Sequence, residues 1–600
     1  MKIKHFFGLA VIAAMTASCS SNEDLGTAGP GTGTNETGVG YATFTINLPS
    51  TNGTRAGNPT YEQGTLEEYD VNDVTLLIFK KGDATKEGDF TFVEKADLGN
   101  MAPWKKDDTA NGITASATIT AKLTGVDLTK EDSKSDYYAL AILNNNADAT
   151  GAGKVKLPTS SPTSTVTYGS WNAASNADEA KFTDNTKGFY MANAPVYIKD
   201  GEEPTTLVNI DKVYATKQKA ETNAATTIHV ERGLAKVTVA ALPTGMTPSG
   251  TKYTSDKVDI TAWKLDVTNK STFPIHKTAG LQNANFSTIW TPSTAAVSTG
   301  ASVARFVDAD NTAFKRVHWG IDPNYSDNKY YDDDATTSPA KTALDCCKDA
   351  FNMITNDQVD GAAGDANPQY CLENTFDLDN MKQGQTTRVV FKATYTPSAV
   401  AKETDKTFFM IGNSLDIWTT KTLKDQIASK AKEALSITTD PKVELTGDLL
   451  TAGTHVLTES NVSIKIKEGE TEKEKVDADL VAKLNTKLGL DATKGIGIKT
   501  YLNGESYYIA RIKHFGALTP WAEGQATYGI NNEENNTKYL GRYGVLRNNW
   551  YELNVGSVSG PGSPDVPTIK PKEPDDESYK YISVSVKILS WAKRSDTVDL

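Results

Sequence analysis

The sequence predicts a mainly β fold, built of antiparallel β-sandwiches with a few helical insertions. Three observations predict it. β-Branched and aromatic residues concentrate in short runs: VTLLIFK at 74–80, YYALAILN at 137–144, KVTVAAL at 236–242, VDITAWKLDV at 258–267, TTRVVFKATYT at 386–396, SYYIARIKHF at 506–515 and WYELNV at 550–555. Gly, Asn, Asp and Pro turns separate these runs, as strands joined by turns require. No alternation of strands with helices is visible, which argues against a doubly wound parallel sheet.

Taken in order, residues 1–18 (MKIKHFFGLAVIAAMTAS) read as a secretory signal. Lys2 and Lys4 give a positive start, Phe6–Met15 an apolar core, and small residues precede Cys19. Residues 20–40 are rich in Gly, Thr and Ser and read as a flexible tether. Residues 41–48 (YATFTINL) alternate, with Phe44, Ile46 and Leu48 on one face and Thr43, Thr45 and Asn47 on the other. That is the pattern of a half-buried strand. A loop, STNGTRAGNP, follows it, with Arg55–Ala56 among small polar residues, the setting in which proteolytic nicking concentrates.

Three helical patterns interrupt the second half. They are Leu344, Cys347, Phe351 and Ile354; then Leu423, Ile427, Ala431 and Leu435; then Leu480, Leu484 and Leu488 with Gly489 as the C-terminal cap. Residues 556–580 carry five prolines and no apolar period, and are read as a semi-rigid extended linker. Beyond it Ile582, Val584, Val586 and Ile588 alternate with Ser583, Ser585 and Lys587, and Trp591 follows. The last run is a strongly amphipathic strand.

Composition narrows the function. The 600 residues carry a formal charge of −13, which argues against nucleic acid and anionic lipid as partners. The 62 basic residues include only nine Arg, and Arg232 is the first after Arg55. No CxxC, HxxxH, HExxH, GxSxG or P-loop pattern occurs, so no metal, cofactor or catalytic residue is expected. The acidic runs Asp308–Asp310 and Asp332–Asp334 lack the spacing of a calcium loop and are read as solvated. Cys346 and Cys347 are adjacent, and Cys371 is a short loop away. Helical spacing turns Cys347 inward and Cys346 outward. A disulfide from either to Cys371 and three free thiols are both open readings.

An amphipathic strand cannot leave its apolar face in water without inviting association. Both end strands can pair within the chain. Alternatively, cleavage after Arg55 frees the first strand, and the last strand of a neighbour fills the groove by strand addition. Such a contact is head-to-tail and builds an open filament.

Several motifs carry a resemblance: Cys19 after small residues, TRAG at 54–57, VERGLAKVTV at 230–239, RNNWYELNV at 547–555, the Gly/Pro-rich segment, and VSVKILSW at 584–591. In this order they resemble the bacterial type V pilins, and within them the shaft subunits of the minor (short) fimbrium. Thr16 departs from the leucine usual in a lipobox. The resemblance implies a lipoprotein precursor anchored to the outer membrane through lipid on Cys19. It implies an Arg-specific maturation protease acting at Arg55–Ala56, and two transthyretin-like β-sandwiches. Subunits would polymerise with one another and with tip and anchor subunits, and the fimbrium would adhere to host or bacterial surface ligands.

The expected organisation is a lipoprotein signal peptide at 1–18 and a propeptide at 19–55 holding the exchangeable strand. An N-terminal sandwich spans 56–235, and a C-terminal sandwich with helical insertions spans 236–555. The linker at 556–580 and the donor strand at 581–600 complete the chain. The rival expectation is a monomeric surface lipoprotein that binds a glycan or host protein and keeps Cys19 at its N-terminus.

Overall fold

The computed structural model describes residues 39–48, 68, 70–96, 98, 116–126, 135–147, 152–159, 165–174, 177–197, 204–279, 315–325, 333–377, 380–514, 541, 543–575 and 582–590. The first unit is one curled sheet. Its strands are β1 (Gly40–Asn47), β2 (Val74–Lys80), β3 (Thr91–Lys95), β4 (Ser116–Leu123), β5 (Tyr137–Leu143), β6 (Met191–Asn193), β7 (Val208–Asn209) and β8 (Thr226–Arg232). They lie in the order β3-β2-β5-β6-β8-β1-β4, with β7 on β5. Leu76 and Ile78 of β2 share a core with Phe44 and Ile46 of β1 and Ile119 of β4. The sheet therefore closes on its own apolar face. Its other face carries Leu77, Phe79, Leu140 and Ile142, under the short helices α1 (Tyr168–Ala174) and α2 (Glu179–Thr183). A third short helix, α3 (Lys217–Glu221), packs on β1 and β4.

The chain changes sheets at Gly233. β8 ends at Arg232, and β9 (Leu234–Val239) opens the second unit. A Cβ at Gly233 would lie 2.7 Å from the Phe182 ring, so only glycine permits this approach. Part of the seam is apolar: Leu234, Leu372 and Trp550 of the second unit join the cluster of Leu77 and Phe182.

The second unit continues with β10 (Lys257–Asp266), the helix α4 (Ala343–Ala350), β11 (Gln369–Leu372) and β12 (Arg388–Thr396). An insertion follows, holding β13 (Phe408–Ile411), α5 (Thr420–Leu435), β14 (Lys442–Leu445), β15 (Gly453–His455), β16 (Val462–Glu468), β17 (Thr471–Glu474), α6 (Ala478–Leu488) and β18 (Ile498–Tyr501). Then come β19 (Glu505–Arg511), β20 (Asn549–Val558) and β21 (Ile582–Ser590). Sheets β11-β9-β20-β21 and β10-β12-β19 face each other across Val237, Tyr551, Leu553, Ile260, Phe391 and Tyr508. This half is a two-sheet sandwich, and the protein is mainly β.

The insertion lies between two strands that pair directly, β12 and β19. It is more than helices laid on a sandwich, because Phe409, Leu423, Ile427, Leu480, Leu484 and Ile498 form a separate core. β13 alternates between the two cores. Phe408 stacks on Tyr501 in the sandwich at 4.3 Å, and Phe409 faces the insertion. Gly489 caps α6 at φ +70°.

Three expectations are corrected. The Leu344–Ile354 spacing stays helical only through Ala350, because Phe351 turns extended and pairs with Asn269. Cys346 is buried like Cys347, and no disulfide joins Cys346, Cys347 and Cys371. Cys347 packs with Val267 and Ile569, whereas Cys371 packs in the sandwich with Ala235 and Val237. Residues 559–575 are no free linker but a strap fixed to the second unit. The Tyr508 and Tyr501 hydroxyls donate to the Gly560 and Gly562 carbonyls at 3.0 and 2.8 Å. Arg388 donates to the Pro567 carbonyl at 2.6 Å, and Arg511 to that of Asp575 at 3.1 Å.

The separate core of the insertion makes its stability local. Ile427→Ala should destabilise it by about 2–5 kcal/mol, with faster amide exchange confined to 408–501. Equal loss of protection in β1 and β8 would show that the insertion is not an independent body.

Candidate functional site

β1 is an interior strand. It pairs antiparallel with β4 along its whole length, Gly40 to Leu123 through Asn47 to Ser116. On its other edge it runs parallel to β8, Phe44 opposite Thr226 through Asn47 opposite His229. Phe44, Ile46 and Leu48 point into the core with relative exposures of 0%, 0% and 2%. On the opposite face the Thr43 and Thr120 hydroxyls are hydrogen-bonded at 3.0 Å, and those of Thr45 and Thr118 at 3.1 Å. At roughly 1.5–3 kcal/mol per buried aliphatic or aromatic side chain, the three core residues hold β1 by several kcal/mol. The slot between β4 and β8 is thus one strand wide, apolar on its floor and hydroxyl-lined above.

The other end strand is placed differently. β21 pairs antiparallel with β20 alone, Ser590 opposite Asn549 through Ile582 opposite Val558, at the edge of its sheet. Val584 and Val586 are only half-buried against the sandwich core. The structure does not bring the two end strands together: β1 lies in the first sheet and β21 in the second. Cys19, Arg55, Ala56 and Trp591 lie outside the described residues.

Where the chain returns after residues 49–67, it is pinned by charge. The Glu68 carboxylate is wholly buried and receives Lys236 Nζ at 2.6 Å and the Tyr370 hydroxyl at 3.0 Å. The Lys236 ammonium also sits 3.9 Å from the centre of the Trp550 ring. Arg232 donates from Nη2 to the Glu68 carbonyl at 2.7 Å. Asn144, at φ +57°, donates to the Asp70 carbonyl and accepts from the Asn72 amide, both at 2.7 Å. A second buried group crosses the seam: Glu231 Oε1 lies 2.9 Å from His276 Nδ1, and Arg547 Nε donates to Glu373 Oε2 at 3.1 Å.

Sequence reasoning assigned none of these residues a role. The available signal was charge inside strand-forming runs, since Glu231, Arg232 and Lys236 interrupt an otherwise apolar VERGLAKVTV. Arginine is scarce, and the four arginine side chains among the described residues are hidden. Arg232, Arg388, Arg511 and Arg547 are 0%, 1%, 2% and 4% exposed, and each is hydrogen-bonded.

The remaining candidates have local roles. Asp333 accepts the Ala343 amide at the start of α4, and Asp334 closes a turn with Thr336. Among the described residues no group of three His, Cys, Asp or Glu is placed to hold a metal ion. Burial, reinforced by the adjacent Cys346, pushes the Cys347 thiol up to about 12, and burial raises that of Cys371 as well. Neither is a thiolate at neutral pH, and neither is a nucleophile.

Two outcomes follow from this geometry. Lys236→Ala leaves the Glu68 carboxylate buried without its cation and should cost about 3–5 kcal/mol by denaturant unfolding. The double change Glu68→Gln with Lys236→Met should recover much of that loss; no recovery would mean that Lys236 acts through packing alone. Iodoacetamide at pH 8 should alkylate Cys347 and Cys371 only after denaturant is added. Labelling of either in the native protein would contradict their burial.

The comparisons with known proteins bear on the segment holding β19, β20 and β21. Residues 499–597 match the family described as major fimbrial subunit protein type IV, fimbrillin, C-terminal. No curated protein sequence matches the chain. Solved structures similar in part include a candidate cell adhesion protein of Parabacteroides distasonis ATCC 8503, at 10% identity and a TM-score of 0.36 over 92% of this chain and 98% of that one. A fimbrilin (fimA) of Porphyromonas gingivalis W83 aligns at 12% identity and 0.31, over 92% and 99%. The tip fimbrial protein Mfa3 of Porphyromonas gingivalis, truncated at its C-terminus, aligns at 10% and 0.29, over 92% and 100%. Over residues 499–597 the chain is thus similar to the C-terminal region of the fimbrillin family.

Proposed function

We propose that the chain is a structural subunit of a cell-surface fimbrium that serves adhesion, and within it a shaft subunit. In this reading it is exported as a lipoprotein through Cys19, cut after Arg55, and polymerised head-to-tail by exchange of β1 for β21 of a neighbour. The tip and anchor subunits are further partners. The observation that carries the reading is the contrast between the end strands. β1 fills a slot paired on both edges and is followed directly by the segment with Arg55, whereas β21 holds an edge and is half-buried.

The physics supports the order of events. While β1 is seated, the slot is closed and several kcal/mol of burial keep it so. Cutting after Arg55 removes the covalent link without removing that burial. β1 then leaves only as another amphipathic strand supplies equivalent contacts. The entering strand gains pairing on two edges where it had one. The burial of Arg232, Arg388, Arg511 and Arg547 removes these four from reach of an Arg-specific protease in the folded chain.

A monomeric surface lipoprotein is the second reading, favoured by the pairing of both end strands inside one chain. The N-terminal sequence of the surface protein separates the two. A start at Ala56 supports the shaft reading, and a lipidated Cys19 on the mature chain supports the monomer. Arg55→Ala, or deletion of 582–600, should abolish fibres seen by electron microscopy. Normal fibres in both variants would overturn the proposal.

A further inference from the structure

The direction in which a second copy enters the slot is written in the polar face of its strand. We infer that β21 of one copy enters the β1 slot of the next in the same direction as β1, parallel to β8, with Ile582 in the place of Ala42 and Ile588 in the place of Leu48. The inference rests on the reading that a neighbour's β21 replaces β1.

The apolar floor of the slot does not decide the direction. Ile582, Val584, Val586 and Ile588 read the same forwards and backwards. In either direction they meet the positions of Ala42, Phe44, Ile46 and Leu48. Ile is then larger than Ala42 and Val smaller than Phe44, while Val and Ile take the places of Ile46 and Leu48, so the four-residue volume is nearly kept and the neighbouring side chains repack in either direction alike. A shift by two residues leaves one aliphatic side chain outside the slot and one core position badly filled.

The upper face does decide it. Forwards, Ser583 takes the place of Thr43 and Ser585 that of Thr45. Each brings a hydroxyl opposite Thr120 and Thr118, the partners that Thr43 and Thr45 now hold at 3.0 and 3.1 Å. Lys587 then takes the place of Asn47, which is half-exposed and opposite Ser116. Backwards, Lys587 lands on Thr43. That position is 7% exposed. It lies next to Tyr41, which pairs with Tyr214 just before α3, and α3 packs on β1 with Lys217 and Lys219 in its sequence. The Lys219 ammonium is 5.8 Å from the Tyr214 ring. The backward direction would bury an ammonium at this nearly closed position and remove one hydroxyl pair. The forward direction keeps both hydroxyl pairs and leaves the lysine at the wet end of the slot.

Paired cysteines placed across the slot test this in polymers formed after cleavage at Arg55. Directly opposite residues of an antiparallel pair are within disulfide reach. Ser585 meets Thr118 in both directions, so Ser585→Cys with Thr118→Cys reports only that β21 is in the slot. Ser583→Cys with Thr120→Cys reports the forward direction, and Ser583→Cys with Ser116→Cys the backward one. Polymers are assembled under reductant, oxidised, and read as covalent ladders on non-reducing gels.

The expected result is a ladder for the 585/118 and 583/120 pairs, and monomer for the 583/116 pair. A ladder for 583/116 in place of 583/120 overturns the direction while leaving strand exchange intact. Monomer for 585/118 in intact polymers overturns the exchange reading itself. Lys587→Cys gives an independent check, with a ladder expected against Ser116→Cys and none against Thr120→Cys. The reverse pattern overturns the proposal.

Discussion

An interior strand is held from both edges, and that constraint organises this protein. β1 supplies hydrogen bonds to β4 on one side and β8 on the other, and its Phe44, Ile46 and Leu48 complete the core of the first unit. Without a strand in that position the sheet is divided, and two rows of backbone groups lose their partners. The first unit is therefore complete only while some strand, its own or another, fills the slot. Backbone pairing asks only that the filler be extended. The core asks that alternate residues be apolar, and the hydroxyl row above asks that the others be small and polar.

Much of this is legible in the sequence. The alternation of residues 41–48 and of 582–588 has period two, and one buried face is enough to write it into the sequence. What could not be read was pairing. That β1 lies beside β8, far along the chain, follows from how the sheet curls and not from any local pattern. Burial of charge was equally hidden. Glu68 looks like an ordinary loop acid until Lys236, Tyr370 and Arg232 are folded around it.

The errors have physical causes too. Apolar spacing beyond Ala350 suited a helix, yet Phe351 found a backbone partner in Asn269 and left the helix there. Proline and glycine correctly indicated an extended segment after β20. Extended backbone can lie free or bound, and composition does not say which. Here Tyr501, Tyr508, Arg388 and Arg511 aim donors at its carbonyls. All four come from the β12–β19 side of the sandwich, or from the strand that leads into it.

The strap has a mechanical consequence. Its last described residue, Asp575, is anchored to the second unit by its backbone and its carboxylate. Only residues 576–581 separate that anchor from β21. The seven steps from Asp575 to Ile582 span at most about 25 Å when fully extended. In a polymer joined through β21, each subunit would be held to the next on a tether shorter than a domain is wide. Such a joint resists bending and twisting far better than one on a free linker of twenty or more residues. A fibre built as proposed would behave as a rod rather than as beads on a string, and would carry tension through backbone pairing at every junction.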